Sequence, residues 1–326
     1  MFGKIFKRDS EFMLLGLGAE EKSYRGALMF VGVYLGACLL AACFTAPSRW
    51  LVEWVDNVSP CRLSEYLMRK KLYVYFNRLC YFFIIIGLPY IMGKLRLFSF
   101  ANLGLKLEKD SLRVYGKCFL CGVLMAVSVF ALQMIFCDVE FGNKGFGRIF
   151  GAVAGAALSA LVVGLLEEVI FRCLIFRCFY TAFSPLFAVA FTSAFFAYKH
   201  FRVPRSIYGS IAGNTGFDAG FTVAYYDSFG IFYEFSAIAF ASLFVFGAML
   251  NIVYLRTKNL WAPAAVHSGI VFMMLSYGRL FTMKSAPNIF FGTSKMTDGF
   301  LSILIMIVFT AIFLKFGKRD YGHSLK

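Results

Sequence analysis

The chain has 326 residues, is 60% hydrophobic and 19% aromatic, and only 16% of it is charged, against about 25% in a soluble globular chain. That composition excludes a soluble enzyme or carrier and predicts a polytopic membrane protein. The net charge of +15 fits lysine and arginine crowding the loops beside anionic headgroups; with no basic soluble patch, no nucleic-acid partner is expected.

A helix crosses the hydrocarbon core with roughly 20 apolar residues. The first 25 residues, with Lys4, Lys7, Arg8, Glu20 and Glu21, are too polar to be a cleavable signal peptide. The pattern then predicts an all-α transmembrane bundle of about eight spans. The first runs from about Gly26 to Ala46. The stretch Arg49 to Lys71, with Trp50, Trp54, Leu63 and Leu67 among charges, reads as an interfacial amphipathic helix. The second span is about Leu72 to Met92 and the third about Gly116 to Phe136. The fourth opens near Arg148 and carries Glu167 and Glu168 toward its end. The fifth covers Pro185 to His200, with Ser184 placed to cap it. The segment Phe201 to Phe232 holds five glycines and reads as a flexible connection, with a lid or binding loop as the alternative. The sixth span is about Glu234 to Leu255, the seventh Asn259 to Tyr277 and the eighth Phe300 to Phe316.

These spans group into a membrane region over 1–115, a core over 116–277, and a last span with a basic tail over 278–326. The nine cysteines are scattered, and Cys118-x-x-Cys121 reads as small apolar residues rather than a metal or redox pair. The Lys and Arg bias places both termini in the cytoplasm. Lys4, Lys7, Arg8, Lys22, Lys94, Arg96, Lys318, Arg319 and Lys326 then lie inside, while Arg69, Lys70 and Lys71 gather on the outside.

Three polar elements stand out. An ionisable side chain in a bilayer costs on the order of 3 kcal/mol even on lenient scales, so the adjacent Glu167 and Glu168 predict a polar pocket. Glu168 and Arg172 are i, i+4 and share a helix face as an ion pair, which leaves Glu167 free to point elsewhere. The competing reading is a helix end where all three meet water. Phe196 and His200 share a face one turn apart. His267 lies about 12 Å into its helix, beyond a cap at Asn259, the interfacial Trp261 and Pro263, and a histidine so deep needs a partner.

In order and context these elements resemble the CPBP family of intramembrane proteases, which includes CAAX prenyl proteases, bacteriocin-processing and immunity proteins, and abortive-infection proteins. The family pattern E-E-x-x-x-R falls on Glu167, Glu168 and Arg172. F-x-x-x-H falls on Phe196 and His200, and the third-motif histidine on His267, after Leu260-Trp-Ala-Pro263. The resemblance covers roughly Gly116 to Tyr277. It implies an endopeptidase acting in the membrane on a membrane-embedded or lipid-anchored peptide or protein. Glu167, His200 and His267 would be catalytic, with Glu168, Arg172 and Phe196 in support. The same trio, Glu167, His200 and His267, would also suit a Zn²⁺ ion with an open water position, or metal-free, glutamate-activated water. One position departs from the pattern. Val271 stands four residues after His267, where the family has Asn or Asp to help hold the reacting oxygen. Two further readings follow: an inactive CPBP-like scaffold or immunity-type binding protein, motivated by Val271, and a proton-coupled transporter, motivated by carboxylates within the membrane.

Overall fold

The computed structural model describes residues 24–94, 99–100, 103–106, 109–142, 145–212, 214–286 and 288–316. Both termini, on which part of the expected orientation rests, lie outside the described residues. The described chain is helical: α1 Tyr24–Val58, α2 Arg62–Met68, α3 Leu72–Lys94, α4 Ser111–Phe136, α5 Phe146–Glu168, α6 Arg177–Ala182, α7 Pro185–His200, α8 Tyr208–Ala212, α9 Ala219–Phe229, α10 Ala237–Thr257, α11 Trp261–Leu280 and α12 Phe300–Phe316. A π-helix, Val169–Phe176, joins α5 to α6. One small antiparallel ribbon, β1 Val139–Phe141 with β2 Phe281–Met283, pairs Glu140 with Thr282.

Among the described residues five helices are long and apolar enough to cross a membrane: Leu28–Val58, Leu72–Lys94, Ser111–Phe136, Phe146–Ala182 and Ala237–Thr257. The protein is integral to the membrane. Of the about eight spans expected, the rest correspond to the 16-residue α7, to α11 and to the shorter apolar α12.

Two stretches differ from the sequence reading. The first span does not stop near Ala46, because α1 continues through Pro47 to Val58. Arg49 and Glu53, one turn apart, pair at 2.8 Å and carry the helix onward. The interfacial stretch is therefore the end of α1 plus the short α2. The segment from Phe201 to Phe232 is not a bare connection either. It forms α8 and α9, whose Ile211 and Val223 pack with Ala41, Ala42 and Phe76 in one buried cluster.

The chain divides into two compact units. The first comprises the described parts of Arg96–Ala197 and Ser236–Lys326, and the second comprises Arg25–Leu95 and Tyr198–Phe235. The first is organised around α11, which packs against α4 and α5. With no hydrophobic drive between helices in lipid, small residues that let backbones approach hold such bundles together. A Cβ on Gly269 would lie 2.3 Å from the Phe119 carbonyl oxygen, and one on Gly122 2.2 Å from that of Val266. Glycine at both positions sets how closely α4 and α11 cross. Where α7 meets α10, the buried Asn251 amide donates to Thr192 Oγ1 at 2.9 Å and Ser193 Oγ at 3.1 Å.

Candidate active site

A stripe of small residues on α5 ends in a carboxylate. Ala156, Ala160, Gly164 and Glu168 recur every fourth residue and are all buried, so they share one face. A Cβ on Gly164 would lie 2.3 Å from Ser268 Oγ, so α11 sits against the bare backbone of α5. One turn further along the stripe, Glu168 meets the residue before Ser268, which is His267.

The contact is short. His267 Nδ1 lies 2.8 Å from Glu168 Oε1, and Arg172 Nη1 donates to the same oxygen at 2.9 Å. Glu168 is 0% exposed and Arg172 1%. The second guanidinium nitrogen, Arg172 Nη2, donates to the Gly247 carbonyl of α10 at 3.2 Å. The guanidinium also lies over the Phe196 ring, 5.2 Å from its centroid. Arg172 thus ties the π-helix, α7 and α10 around Glu168, whose carboxylate the buried cation neutralises. The π-helix starts at Val169, immediately after the two glutamates. Its wider turn is a departure often found at functional sites.

The imidazole is held from three sides. Glu168 grips Nδ1. The Phe246 ring stands edge-on at 5.1 Å and Phe196 at 6.1 Å between centroids. The remaining nitrogen, Nε2, is directed at Glu167, 3.9 Å from its Oε2. That distance is too long for a direct hydrogen bond. A water oxygen about 2.8 Å from each atom would subtend roughly 90° between them, close to its own bond angle. The side chain of Glu167 is 19% exposed and that of Glu168 0%. Adjacent residues therefore have distinct settings, one locked in an ion pair and the other open on an imidazole nitrogen.

Other sequence-level candidates are placed as follows. Val271 is buried on α11 one turn after His267. Neighbouring Ser268 is fully buried, and Asn251, a second polar group near the motif, has its amide N–H groups committed to α7. Ser184 accepts from Phe187 N–H at 3.2 Å and caps α7 as expected, whereas the N-cap of α11 is Leu260 and Asn259, one residue earlier, accepts from Trp261 N–H at 2.7 Å in the turn that leads into the helix. His200 is exposed, closes α7, and belongs to the second unit, whereas Glu167, Glu168, Arg172, Phe196 and His267 belong to the first. Among the described residues no group of three or more His, Cys, Asp or Glu is placed to hold a metal ion. No step is derived through a metal.

One turn before the glutamates, Leu161 and Leu165 of α5 wall an apolar cavity of about 290 Å³ with Ser111, Leu112, Tyr115 and Trp261.

Residues 149–273 match the family model described as type II CAAX prenyl endopeptidase Rce1-like. The chain carries an Rce1-like domain. The match begins in the first turn of α5 and ends two residues past Val271, so it contains Glu167, Glu168, Arg172, Phe196, His200, Phe246, Gly247 and His267, but not the cavity residues Ser111, Leu112 and Tyr115. No curated protein and no solved structure matches the chain. Three features of the domain escaped sequence reasoning: the Glu168 to His267 bond, Phe246 against the imidazole, and the Gly247 carbonyl that receives Arg172. Phe246 and Gly247 sit in an unbroken apolar run and carry no signal of their own. The Glu168 bond had a signal, the four-residue recurrence of Ala156, Ala160 and Gly164, which points Glu168 at whichever helix packs on that stripe.

Proposed function

We propose that the Rce1-like domain is an active intramembrane endopeptidase that cleaves a lipid-anchored peptide with glutamate-activated water. The observation that carries this reading is the imidazole of His267 flanked by two carboxylates, only one of which is neutralised by an arginine. With its proton on Nδ1, donated to Glu168, His267 presents Nε2 as an acceptor. A water shared by Nε2 and Glu167 Oε2 would give one hydrogen to each and keep a lone pair for attack. Glu167 takes the proton as the oxygen bonds to the scissile carbonyl carbon. The C–N bond then breaks as Glu167 returns that proton to the leaving amine. Glu168 and Arg172 touch no reacting atom; they fix the tautomer and orientation of His267. His200 is assigned its catalytic role by the F-x-x-x-H resemblance alone.

The apolar cavity beside Leu165 and Trp261 supports a substrate with a hydrocarbon anchor. The test is turnover of farnesylated and unmodified forms of one membrane-anchored peptide by the purified protein in liposomes. Cleavage that requires Glu167 and His267 supports the proposal, and cleavage that survives Glu167→Gln overturns it. Val271 favours a second reading, a binding protein without turnover, because its side chain offers no donor to a developing oxyanion. Retention of the farnesylated peptide without cleavage by the wild type would select it.

A further inference from the structure

The second unit holds a cavity that the proteolytic reading does not use. It is about 210 Å³, and its wall includes Arg49, Trp50, Glu53, Arg69, Lys70 and Lys71. The volume equals about seven waters at about 30 Å³ each, enough for a phosphate group and part of its hydration. Four cations face one carboxylate. Arg49 Nε donates to Glu53 Oε1 at 2.8 Å, which neutralises one of them. Among the described residues Arg69, Lys70 and Lys71 pair with no carboxylate. Their positions are nevertheless organised. Arg49 Nη1 donates to the carbonyls of Met68 at 2.9 Å and Lys70 at 3.3 Å, pinning the turn that carries all three cations. The Lys70 ammonium rests 4.1 Å from the Tyr66 ring centroid and that of Lys71 4.3 Å from Tyr208. An aromatic face orients an ammonium without consuming its charge. Leu72, also on the wall, opens the 23-residue α3 immediately after Lys71, and the N-terminus of that helix adds the positive end of its dipole.

We infer that this cavity binds a phosphate anion, and that its source is the headgroup of an anionic phospholipid. The surroundings favour the lipid over a soluble phosphate ester. Trp50 and Trp54 are 43% and 61% exposed at the end of the long apolar α1, as residues of the membrane–water boundary are. On α2 Leu63 and Tyr66 are also exposed, which suits a helix lying in that boundary. Those neighbours place the cations at headgroup depth, and among the described residues three of them pair with no carboxylate.

The experiment uses the full chain in two arms. In one, nanodiscs of phosphatidylcholine are compared with nanodiscs that also contain phosphatidylglycerol. In the other, the protein in neutral detergent is titrated with inorganic phosphate. Both arms read thermal unfolding, and native mass spectrometry counts retained lipid. Phosphatidylglycerol should be retained and should raise the unfolding midpoint. A cation near an anionic surface contributes about fivefold in affinity, so Lys70→Gln with Lys71→Gln should weaken retention about 30-fold. Lys109→Gln with Lys117→Gln, exposed and in the other unit, should leave it unchanged. If the double variant fails to fold, Arg69→Gln, also exposed, carries the test and should cost about fivefold. Protection by phosphate equal to that by lipid supports the anion site and reassigns its source to a soluble ester. Protection in neither arm, or equal weakening by the Lys109 and Lys117 pair, overturns the inference.

Discussion

Replacing Glu168 with glutamine should damage the protein twice, through the fold and through the imidazole. One oxygen, Oε1, receives both Arg172 at 2.9 Å and His267 at 2.8 Å, and neither the carboxylate nor the guanidinium reaches solvent. The amide is nearly isosteric but neutral, so Arg172 remains as a buried cation without its counter-charge. Removing one partner of a buried pair costs about 3–5 kcal/mol, whereas replacing both with apolar groups of similar size is often close to neutral. Glu168→Gln should therefore be less stable than Glu168→Gln with Arg172→Met, although the double variant carries more changes. The effect on turnover is separate. A carboxylate that orients an imidazole gives roughly 10⁴-fold in rate over its amide, because the amide no longer enforces the tautomer. Since Glu168 touches no substrate, kcat should fall while KM stays. Stability would be read by unfolding in micelles of increasing SDS fraction, and turnover on the farnesylated peptide with enough lipid to keep the variant folded. If the single and double variants lose equal stability, the pair is not the anchor that its burial implies. A folded Glu168→Gln that cleaves at the wild-type rate would show that His267 is not held for catalysis.

Four further outcomes follow from the same geometry. Glu167→Gln should retain the fold, because Glu167 is partly exposed and outside the ion pair, and should lose about 10²–10⁴-fold in rate as a general base would, measured against circular dichroism as a folding control. Gly269→Ala should cost about 1–3 kcal/mol, because its Cβ meets the Phe119 carbonyl at 2.3 Å; a neutral result in a thermal melt would mean that the α4–α11 crossing is looser than described. Asn251→Leu should cost about 1–3 kcal/mol by removing the two amide hydrogen bonds to Thr192 and Ser193, whose hydroxyls keep their own bonds to the Ala188 and Val189 carbonyls, with turnover preserved if the residue is structural and lost if it serves the reacting oxygen. Val271→Asn should leave turnover unchanged or raise it, since it adds a donor one turn from His267 where loss of one such donor costs about 10²–10³-fold; a folded but inactive Val271→Asn beside an active wild type would show that the family geometry does not carry over to α11.

The charges were legible in the sequence because a membrane leaves them few reasons to be there. Glu167, Glu168, Arg172 and His267 interrupt apolar runs, and the i, i+4 spacing alone pairs Glu168 with Arg172. What the spacing could not show is that one oxygen of Glu168 serves two partners, because the second comes from a helix 99 residues later. Small residues were the unread half of that signal. Ala156, Ala160 and Gly164 look like apolar filler in a span, yet they decide which face of α5 receives α11 and hence which glutamate meets the histidine. The segment after His200 failed for the opposite reason. Its glycines at 209, 213, 216, 220 and 230 weaken any helical pattern, and its Ile211 and Val223 find partners far back in the chain, on Ala41, Ala42 and Phe76. Tertiary burial overrides propensity there. The basic run Arg69-Lys-Lys71 shows the same asymmetry. In the sequence it sits awkwardly on the outer side of the orientation rule, whereas in the structure Arg49 and two aromatic rings organise it around a cavity. If the cluster holds a lipid headgroup as inferred above, its three cations have a reason to be there other than setting orientation. Its presence therefore counts less against the cytoplasmic assignment of the termini than three scattered lysines or arginines would.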